Sequence, residues 1–467
     1  MKTIYFLSIL TFFNFICTAQ SQSSRPGIHS DETLFMAMET NTQWPSYRGM
    51  FACGYMHDTG IPDSFNVETG WNIQWNVPVP GLGLSCPVMW DDMVFITTAI
   101  SESDNSGYLT GMYGDIKPVN DTSIHTWKLY NIDKVSGNIT WERTLHKGKP
   151  AVKRHPKSSH ANTTVATDGK HVVVFLGTEG LYCYNTSGDL LWKRDFGLIM
   201  SAWHVVKSAE WEFCSSPVIF ENRLILQVDA LNQAFVAVLD LETGKTIWKK
   251  ERDEIPTWCT PNIYFENEKA RVVLNGYKQR AAYDLENGEL IWQMDGGGDI
   301  PIPTPLVWKD LIYFNSAHGR HAPLMAINNS VKGEIAYPKK EDEPGKGIAW
   351  FYDRGGAYMS SVLVYDSLLY RIRWNGNLAC YNPRNGELYY EETVHPYSFI
   401  ASPVATDGRV ILVAENGDVY IIKAGKNFEL LNTLPLGETS LVTPGITKGM
   451  IIFRTATRLI AVGSGSS

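Results

Sequence analysis

Several motifs that would identify an enzyme class are missing from this sequence. The chain has no adjacent cysteine pair and no CxxC motif, which weakens both a zinc-site and a dithiol redox interpretation. It also lacks a glycine-rich phosphate loop and a nucleophile elbow. Basic residues are fewer than acidic ones, and the formal net charge of -8 argues against a general nucleic-acid or anionic-membrane surface.

Long apolar runs are also absent beyond the N-terminus. Residues 1–19 combine Lys2, an apolar run over 4–16 and small residues at the end, a pattern typical of a secretory signal peptide. The residues before Cys17 lack the small residue expected ahead of a lipidated cysteine. We therefore expect a soluble exported protein, periplasmic or secreted. Residues 20–43 are polar and predict a flexible leader.

Six of the seven cysteines follow the predicted signal peptide. An even number permits disulfides in an oxidising compartment. However, Cys183 and Cys380 occupy alternating strand positions, and Cys86, Cys214 and Cys259 stand at strand starts. These positions favour buried free thiols.

A short repeated phrase dominates what the sequence does contain. Its clearest copy runs from Ala237 to Trp248: two alternating strands, a tight turn at Glu242-Thr243-Gly244 and a closing tryptophan. Further copies end at Trp141, Trp192, Trp292 and, in a worn form, Tyr389. Recurrence every 40 to 60 residues or so, at roughly the period of known repeat units, indicates a repeat architecture.

Eight units can be recognised by a small residue, often followed by proline, at the start of a hydrophobic strand. The starts are Cys86-Pro87, Thr163-Thr164, Ser216-Pro217, Thr260-Pro261, Thr304-Pro305, Ser360-Ser361, Ser402-Pro403 and Thr443-Pro444. The last unit has only about three strands, and an isolated strand around Trp75 can supply the fourth. The sequence thus predicts an all-β, eight-bladed β-propeller over 44–467, its last blade closed by an N-terminal strand.

The phrase around Asp240, Thr243-Gly244 and Trp248, the Trp44-Pro45 to Gly49 opening and the Ser402-Pro403-Val404 strand start resemble the PQQ-like β-propeller repeat family. That family includes the quinoprotein alcohol dehydrogenases and the propeller lipoprotein of outer-membrane assembly. For a quinone-dependent dehydrogenase, the resemblance implies calcium ligands and, commonly, an adjacent cysteine pair. Neither is recognisable here. We therefore predict no cofactor and disfavour PQQ, and a metal requirement stays open.

Chemistry is expected on one face of such a ring, where the loops between blades and between the two middle strands emerge. Loop 146–161 holds His, Lys and Arg side chains without a single acid, and further His, Arg, Tyr and Trp residues fall in 203–211, 316–321 and 352–358. Positive charge beside aromatic rings suits an anionic sugar, because arginine pairs with a carboxylate and an aromatic ring stacks on the sugar. The alternative is that these are ordinary solvated loop residues.

A uronic-acid ligand would suit β-elimination, in which one group neutralises the carboxylate, a second removes the neighbouring proton and a third protonates the leaving oxygen. We accordingly predict a carbon–oxygen lyase, a dehydratase or polysaccharide lyase, acting on uronic-acid oligosaccharides. The chain also loosely resembles the ulvan oligosaccharide dehydratase type of exported propeller, in which the substrate would be sulfated. Arg354 or Arg320 would bind the carboxylate, His204 or His318 would be the base, and Tyr358 the acid. The remaining substrate-binding candidates are His321, His155, His160, Arg154, Trp203, Trp211, Tyr277, Arg373 and Trp374.

A non-catalytic scaffold in envelope protein assembly is the main alternative function. A PQQ-dependent dehydrogenase is the less favoured one. The His155/His160 and His318/His321 spacings also permit a metal. We expect a monomer that binds an acidic oligosaccharide, without a nucleic-acid partner or a membrane span.

Overall fold

The computed structural model describes residues 28, 30–103, 107–111 and 117–464. The predicted signal peptide lies outside these residues. The described residues form 33 β-strands, one α-helix and two short 3-10 helices, Met50–Ala52 and Gly177–Glu179. No helix among them has the length and apolarity needed to cross a bilayer.

The strands form eight sheets, called here blades I to VIII. Strand β1 (Ile73–Pro78) belongs to blade VIII. Blade I contains β2 (Val88–Trp90), β3 (Met93–Ser101), β4 (His125–Asp133) and β5 (Ile139–Gly148). Blade II contains β6 (Ala166–Thr167), β7 (His171–Phe175), β8 (Leu181–Asn185) and β9 (Leu190–Arg194). Blade III contains β10 (Val218–Phe220), β11 (Arg223–Asp229), β12 (Ala234–Asp240) and β13 (Thr246–Glu251).

Blade IV contains β14 (Asn262–Glu266), β15 (Lys269–Leu274), β16 (Arg280–Asp284) and β17 (Leu290–Met294). Blade V contains β18 (Leu306–Trp308), β19 (Leu311–Asn315), β20 (Leu324–Asn328) and β22 (Ile348–Tyr352). Between β20 and β22 the chain forms β21 (Gly333–Glu334), which belongs to the sheet of blade IV. Blade VI contains β23 (Leu363–Tyr365), β24 (Leu368–Ile372), β25 (Asn377–Tyr381) and β26 (Leu388–Thr393). Blade VII contains β27 (Val404–Thr406), β28 (Arg409–Val413), β29 (Asp418–Lys423) and β30 (Leu430–Pro435). Blade VIII contains β31 (Gly445–Thr447), β32 (Met450–Arg454), β33 (Arg458–Val462) and β1.

The two ends of the chain close the ring. Strand β1 pairs antiparallel with β33, with Trp75 opposite Ala461. This confirms the predicted eight-bladed propeller and the mixed origin of its last blade. Strand β21 is a departure from the sequence prediction: it adds a parallel fifth strand to blade IV, with Gly333 opposite Trp292.

Hydrogen bonds link most neighbouring strand starts around the axis, although the Thr304 hydroxyl has no partner among the described residues. First strands of neighbouring blades contact one another, as β2 does with β6 and β31, so the first strand of each blade lies innermost. The backbone N–H of Cys86 donates to the hydroxyl of Thr164 (3.0 Å), and that of Thr164 donates to Ser216 (2.9 Å). Blades VI, VII and VIII continue the pattern through Ser402 and Thr443. Small hydroxyl residues recur at these positions because they satisfy a neighbour's buried N–H group.

At five of the eight junctions the closing tryptophan joins one blade to the next, whereas Trp292 donates to Tyr264 within its own blade. The indole N–H donates to a carbonyl in the next blade's last turn, as from Trp192 to Leu241 (2.8 Å) and from Trp248 to Leu285 (2.7 Å). The ring also lies against the turn's glycine: a Cβ built on Gly244 would stand 2.7 Å from the Trp192 ring. That glycine has a φ of +67°, so both its conformation and the close approach require it.

An N-terminal segment, residues 44–56, closes one end of the axial channel and is called here the plug. Trp44 exchanges two backbone hydrogen bonds with Met89 of blade I (2.9 and 2.8 Å). The carbonyls of Pro45 and Gly54 accept from Thr167 of blade II and from Ala405 of blade VII, each at 2.9 Å. These contacts lie near the turns between first and second strands, on the face opposite the functional loops.

Part of the predicted flexible leader is a docked helix, α1 (Asp31–Glu39). Ser30 and Thr33 form a capping box, and Leu34 and Met38 are buried against the blades. The Asp31 carboxylate accepts from the backbone of Phe265 (2.9 Å). The prediction differed here because two apolar residues four positions apart are a weak signal within a polar stretch, yet one helical turn brings them onto the same face.

Replacing Trp248 by alanine should lower the free energy of unfolding by about 3 to 4 kcal/mol, because it removes a buried ring and a hydrogen bond between blades. Trp71 is 56% exposed, and Trp71→Ala is the matched control with an expected change below about 0.5 kcal/mol. Guanidinium denaturation would measure both. Equal effects of the two substitutions would contradict the role given to the closing tryptophans.

The docking of α1 should weaken as pH rises. Burial raises the pKa of Asp31 from 3.8 to about 6, so docking favours the protonated carboxyl. Its contribution is complete below pH 3.8 and is lost as pH passes 6. Hydrogen-exchange protection factors for residues 34–39 should therefore be higher at pH 5 than at pH 7.5. In Asp31→Asn this difference should vanish, and an unchanged difference would contradict the assignment.

Candidate functional site

Loops between blades and loops between second and third strands emerge on one side, called here the loop face. Its segments include 149–165, 195–217, 252–261, 275–279, 295–305, 316–323, 353–362, 373–376, 394–403 and 414–417. Most of the predicted site residues lie on these segments.

A hairpin between blades II and III presents two tryptophans. Ala202 and Glu210 form a bridge, and the N–H of Trp211 donates to Ser201 (2.8 Å). The rings of Trp203 and Trp211 are nearly parallel, with an interplanar angle of 10° and centroids 6.4 Å apart. His155 from the preceding loop meets Trp211 edge-on at 5.5 Å. Loops from two blade junctions thus build one aromatic surface.

His318 lies at the centre of the predicted catalytic group. Its Nδ1 is 2.5 Å from Asp299 Oδ1, and the indole N–H of Trp203 donates to the other oxygen of Asp299 (3.3 Å). Tyr358 stacks on the His318 ring at 5.8 Å. Burial raises the pKa of Asp299, but the His318 hydrogen bond and charge outweigh it, so the net shift is downward and the carboxylate is ionised at neutral pH. The carboxylate orients the imidazole and leaves Nε2 for another partner.

Tyr358 is a hydrogen-bond donor at neutral pH. Burial and the nearby charge of Asp299 raise its pKa to about 12. The phenol therefore keeps its proton over the range in which proteins function.

His204 and Tyr277 form a second stacked pair, with centroids 6.2 Å apart. The Tyr277 loop is held by the buried Glu254 carboxylate, which accepts from the backbone N–H groups of Tyr277 (3.1 Å), Lys278 (3.0 Å) and Gln279 (2.7 Å). Arg252 lies 3.7 Å from Glu254 and also pairs with Asp229 (2.9 Å). A buried ionic group therefore positions a half-buried aromatic side chain.

Arginines occupy the edge of the loop face at blades V and VI. Arg354 donates to the carbonyl of Arg320 (2.7 Å), and Arg373 donates to the carbonyl of Arg354 (2.5 Å). Arg373 also lies 3.5 Å from Glu391, whereas neither Arg320 nor Arg354 pairs with a carboxylate within the described ranges. Trp374 beside them is 43% exposed. His321 belongs to the same edge and pairs with Asp353 (2.8 Å).

Arg154 and His160 are buried beneath the loop face instead of being displayed on it. His160 Nδ1 is 2.5 Å from Glu212 Oε2, and Arg154 donates to the carbonyl of Ser158 (2.9 Å). Burial lowers the pKa of His160 to about 4 and raises that of Glu179 nearby to about 8. These groups serve the packing of their loop, so the structure does not place them where a ligand would meet them.

The same loop contacts a blade that is not its direct neighbour. The ammonium of Lys157 lies 2.6 Å from Glu415 of blade VII and 3.3 Å from the Ser398 hydroxyl. The loop between blades I and II is thereby attached to blade VII, which only blade VIII separates from blade I.

The carboxylates of the loop face were not predicted from the sequence. Asp299, Glu212, Asp353 and Glu415 each pair with a histidine or lysine of a neighbouring segment. Asp353 adjoins Arg354, and Glu212 adjoins Trp211, so their proximity in sequence was an available signal. Asp299 and Glu415 come from other blades and gave none.

Two features of the sequence and structure bear on the cofactor prediction, which stays a prediction. The chain has no adjacent cysteine pair. Across the residues described by the structure, no group of three or more His, Cys, Asp or Glu side chains could hold a metal ion. Nor do the two predicted histidine pairs form such a group there.

Comparisons with known proteins agree on the fold. Residues 125–349 match the family model described as "Outer membrane protein assembly factor BamB". Among solved structures, BamB from Moraxella catarrhalis has a TM-score of 0.52 at 12% identity, covering 76% of this chain and 99% of that one. A quinohemoprotein alcohol dehydrogenase from Comamonas testosteroni has a TM-score of 0.59 at 12% identity, covering 94% and 83%.

Two curated relatives bear the same name, outer membrane protein assembly factor BamB. The protein from Francisella salina is 22% identical over 254 residues, 49% of this chain and 47% of that protein. The protein from Yersinia pestis is 20% identical over 279 residues, 47% of this chain and 67% of that protein. The chain spans 36% of a third such relative, from Francisella tularensis, at 23% identity.

These relatives correct the predicted function. Uronic-acid β-elimination, with its ulvan-like substrate, is wrong as the main interpretation, because the sequence relatives are named as assembly factors and favour the scaffold alternative. The physical reason for the error is that arginine, histidine and aromatic residues serve protein recognition as well as sugar recognition. The carbon–oxygen lyase class and the catalytic roles given to His204, His318, Tyr358 and Arg354 stay predictions of the sequence.

Replacing Glu254 by alanine should unfold the Tyr277 loop locally and lower the free energy of unfolding by about 3 kcal/mol. Three backbone N–H groups would lose their acceptor, and Arg252 would lose one of its two carboxylate neighbours. Hydrogen exchange at residues 276–279 and thermal denaturation would measure this. Glu251→Ala, at an exposed position, is the control and should change neither. Unaltered exchange in Glu254→Ala would contradict the positioning role.

Proposed function

Because the chain belongs to the PQQ-like β-propeller repeat family, and its sequence relatives are named assembly factors, we propose that it is a non-catalytic scaffold in envelope protein assembly. Its loop face would bind a partner protein. The single observation that carries this proposal is the set of relatives named outer membrane protein assembly factor.

The asymmetry of the two faces supports the choice of surface. The plug packs into one end of the axial channel, and α1 packs beside it, so the chain itself occupies much of that face. The loop face instead exposes aromatic and cationic side chains. Trp374 and Tyr397 are each 43% exposed. Aromatic residues and arginine are enriched where proteins bind one another.

Charge suggests which kind of partner segment would bind. Arg320 and Arg354 have only carbonyl contacts or none in the described parts of the chain, so their charges are free to meet an acidic group. We place the contact at Arg320, Arg354, Trp374 and Tyr397, called here the docking patch, and expect it to accept an acidic, aromatic-containing polypeptide segment. The protein would act after export, in the cell envelope, as a monomer.

A photo-crosslinking amino acid at Trp374 should capture discrete envelope proteins in cells of the parent organism. The same group at Glu221, which lies in an exposed turn on the opposite face, is the matched control and should capture none of them. Identical crosslinks from both positions would contradict the assignment of the loop face.

Deletion of the gene should reduce the amount of assembled outer-membrane protein, and the unaltered gene should restore it. A chain with Arg320→Ala, Arg354→Ala and Trp374→Ala should restore it poorly, since the docking patch loses its charge and its aromatic anchor, while Glu221→Ala should restore it fully. Full restoration by the triple variant would reject the docking patch. No loss on deletion would reject the scaffold proposal itself.

A further inference from the structure

The junction between blades VI and VII lacks the tryptophan that closes five other junctions. The closing position of blade VI, four residues after Gly386, holds Tyr390 and not the Tyr389 expected from the sequence. Like Trp248 in blade III, Tyr390 lies opposite the third strand, next to the bulge in that pairing. Its hydroxyl is buried and has no hydrogen-bond partner among the described residues, whereas the Trp248 indole donates to the turn of the next blade.

A cavity lies at this junction, on the face that carries the plug. Its volume is about 460 Å³, which is within the range of small-molecule sites. Within 4 Å, a Cβ built on Gly425 would meet only the Asn427 carbonyl among the described residues, at 4.0 Å; one built on Gly386 would stand 2.8 Å from the Trp350 ring. A turn that an indole covers at other junctions is thus uncovered in this one. The lining consists of Trp308 from blade V, residues 366–368, 382–384 and 389 from blade VI, and residues 425–426 from blade VII.

Buried side chains hold the walls of the cavity in place. The carbonyl of Pro383 accepts from the Tyr313 hydroxyl (3.1 Å) and from the Trp350 indole (2.8 Å). The backbone N–H of Gly425 donates to the Tyr370 hydroxyl (2.9 Å). Because these three aromatic side chains are buried, the cavity has its shape before a ligand arrives, and binding requires little ordering of the protein.

Two cations line the cavity, and each lies on the face of an aromatic ring. The Arg384 guanidinium is 4.9 Å from the centroid of the Trp308 ring. The Lys426 ammonium is 4.6 Å from the centroid of the Tyr389 ring. A ring face attracts a cation but uses none of the directions in which its N–H groups donate to an anion. Both side chains are therefore positioned with donors to spare.

The lining carries one net positive charge. Arg384 forms an ion pair with Asp310, but the two side chains are 45% and 60% exposed, so the pair is weak. Lys426 forms no ion pair with the residues that the structure describes. Asp366 is the one acid among the lining residues. Just outside the lining, the charges of Lys309 and Asp310 cancel.

We propose that this cavity binds a small aromatic molecule that carries a single carboxylate. Its ring would cover the turn at Gly425, as an indole covers the glycine turn at other junctions, and its carboxylate would pair with Arg384 and Lys426. One net positive charge favours a monoanion over a phosphate monoester, which carries more than one negative charge at neutral pH. The aromatic, proline and leucine side chains of the lining favour an apolar body over a fully polar anion.

Isothermal titration calorimetry with two aryl acids, indole-3-acetate and phenylacetate, tests the chemistry of the ligand. The unaltered chain should bind at least one of them at a single site. Indole-3-ethanol, which is uncharged, should bind at least about tenfold more weakly, because it cannot pair with either cation. Equal binding of indole-3-ethanol would overturn the proposal. So would the failure of both acids to bind at about 10 mM, a concentration that fills even a weak small-molecule site.

Four variants test the location with the acid that binds. Arg384→Gln combined with Lys426→Gln should weaken binding at least about tenfold, and Asp366→Asn should strengthen it about twofold, because the first removes attraction and the second repulsion. Lys448→Gln, in an exposed turn on the same face, is the control and should change nothing. Gly425→Leu should fill the cavity and abolish binding without lowering the melting temperature, since a Cβ there has room and the backbone is not left-handed.

Unchanged binding in the double variant would overturn the proposal, because the acid would then be bound elsewhere. Unchanged binding in a folded Gly425→Leu would overturn it for the same reason. If Gly425→Leu does not fold, the double variant decides the location, since Arg384 and Lys426 are exposed and their replacement leaves the core intact. None of these outcomes depends on the proposed scaffold role.

Discussion

The packing of a tryptophan onto a glycine turn of the next blade is the contact on which this molecule depends. Each blade is a small sheet that cannot bury its faces alone, so it is stable only between two neighbours. The tryptophan contributes apolar contact and one hydrogen bond, and the turn contributes a glycine whose positive φ and missing side chain allow the ring to approach. Five of the eight junctions repeat this arrangement, those made by Trp75, Trp141, Trp192, Trp248 and Trp350.

The closed ring leaves an axial channel, and different parts of the chain cover its two ends. One end receives the plug, whose backbone pairs with several first strands. The other carries longer loops, and Lys157 of the loop between blades I and II is attached to Glu415 of blade VII. In proteins generally, loops tolerate sequence variation better than the elements they connect, and binding residues are common on them. The same fold accordingly serves proteins with different functions, and fold alone did not identify this one.

On the loop face, the sequence predicted which residues share a side of the ring, but it did not predict which of them pair. The repeat located the ends of the blades, and this placed Trp203, Trp211, His318 and Tyr358 on one side, where the structure brings them into contact. It could not show that Asp299 orients His318, because the two residues come from different loops whose approach depends on two neighbouring blades. Nor could it show that Arg154 and His160 turn inward, since burial of a loop side chain is decided by the loops packed over it.

The sequence by itself determined the number of blades, the mixed origin of the last one and the face on which the functional loops emerge. These properties follow from a local pattern of strand, turn and tryptophan that each unit carries within itself. Only the tertiary structure decided which charges are paired, that residues 31–39 dock as a helix, and that a cavity lies between blades VI and VII. Those outcomes depend on groups far apart in the chain, and the electrostatic cost of burial is set by what surrounds a side chain in space.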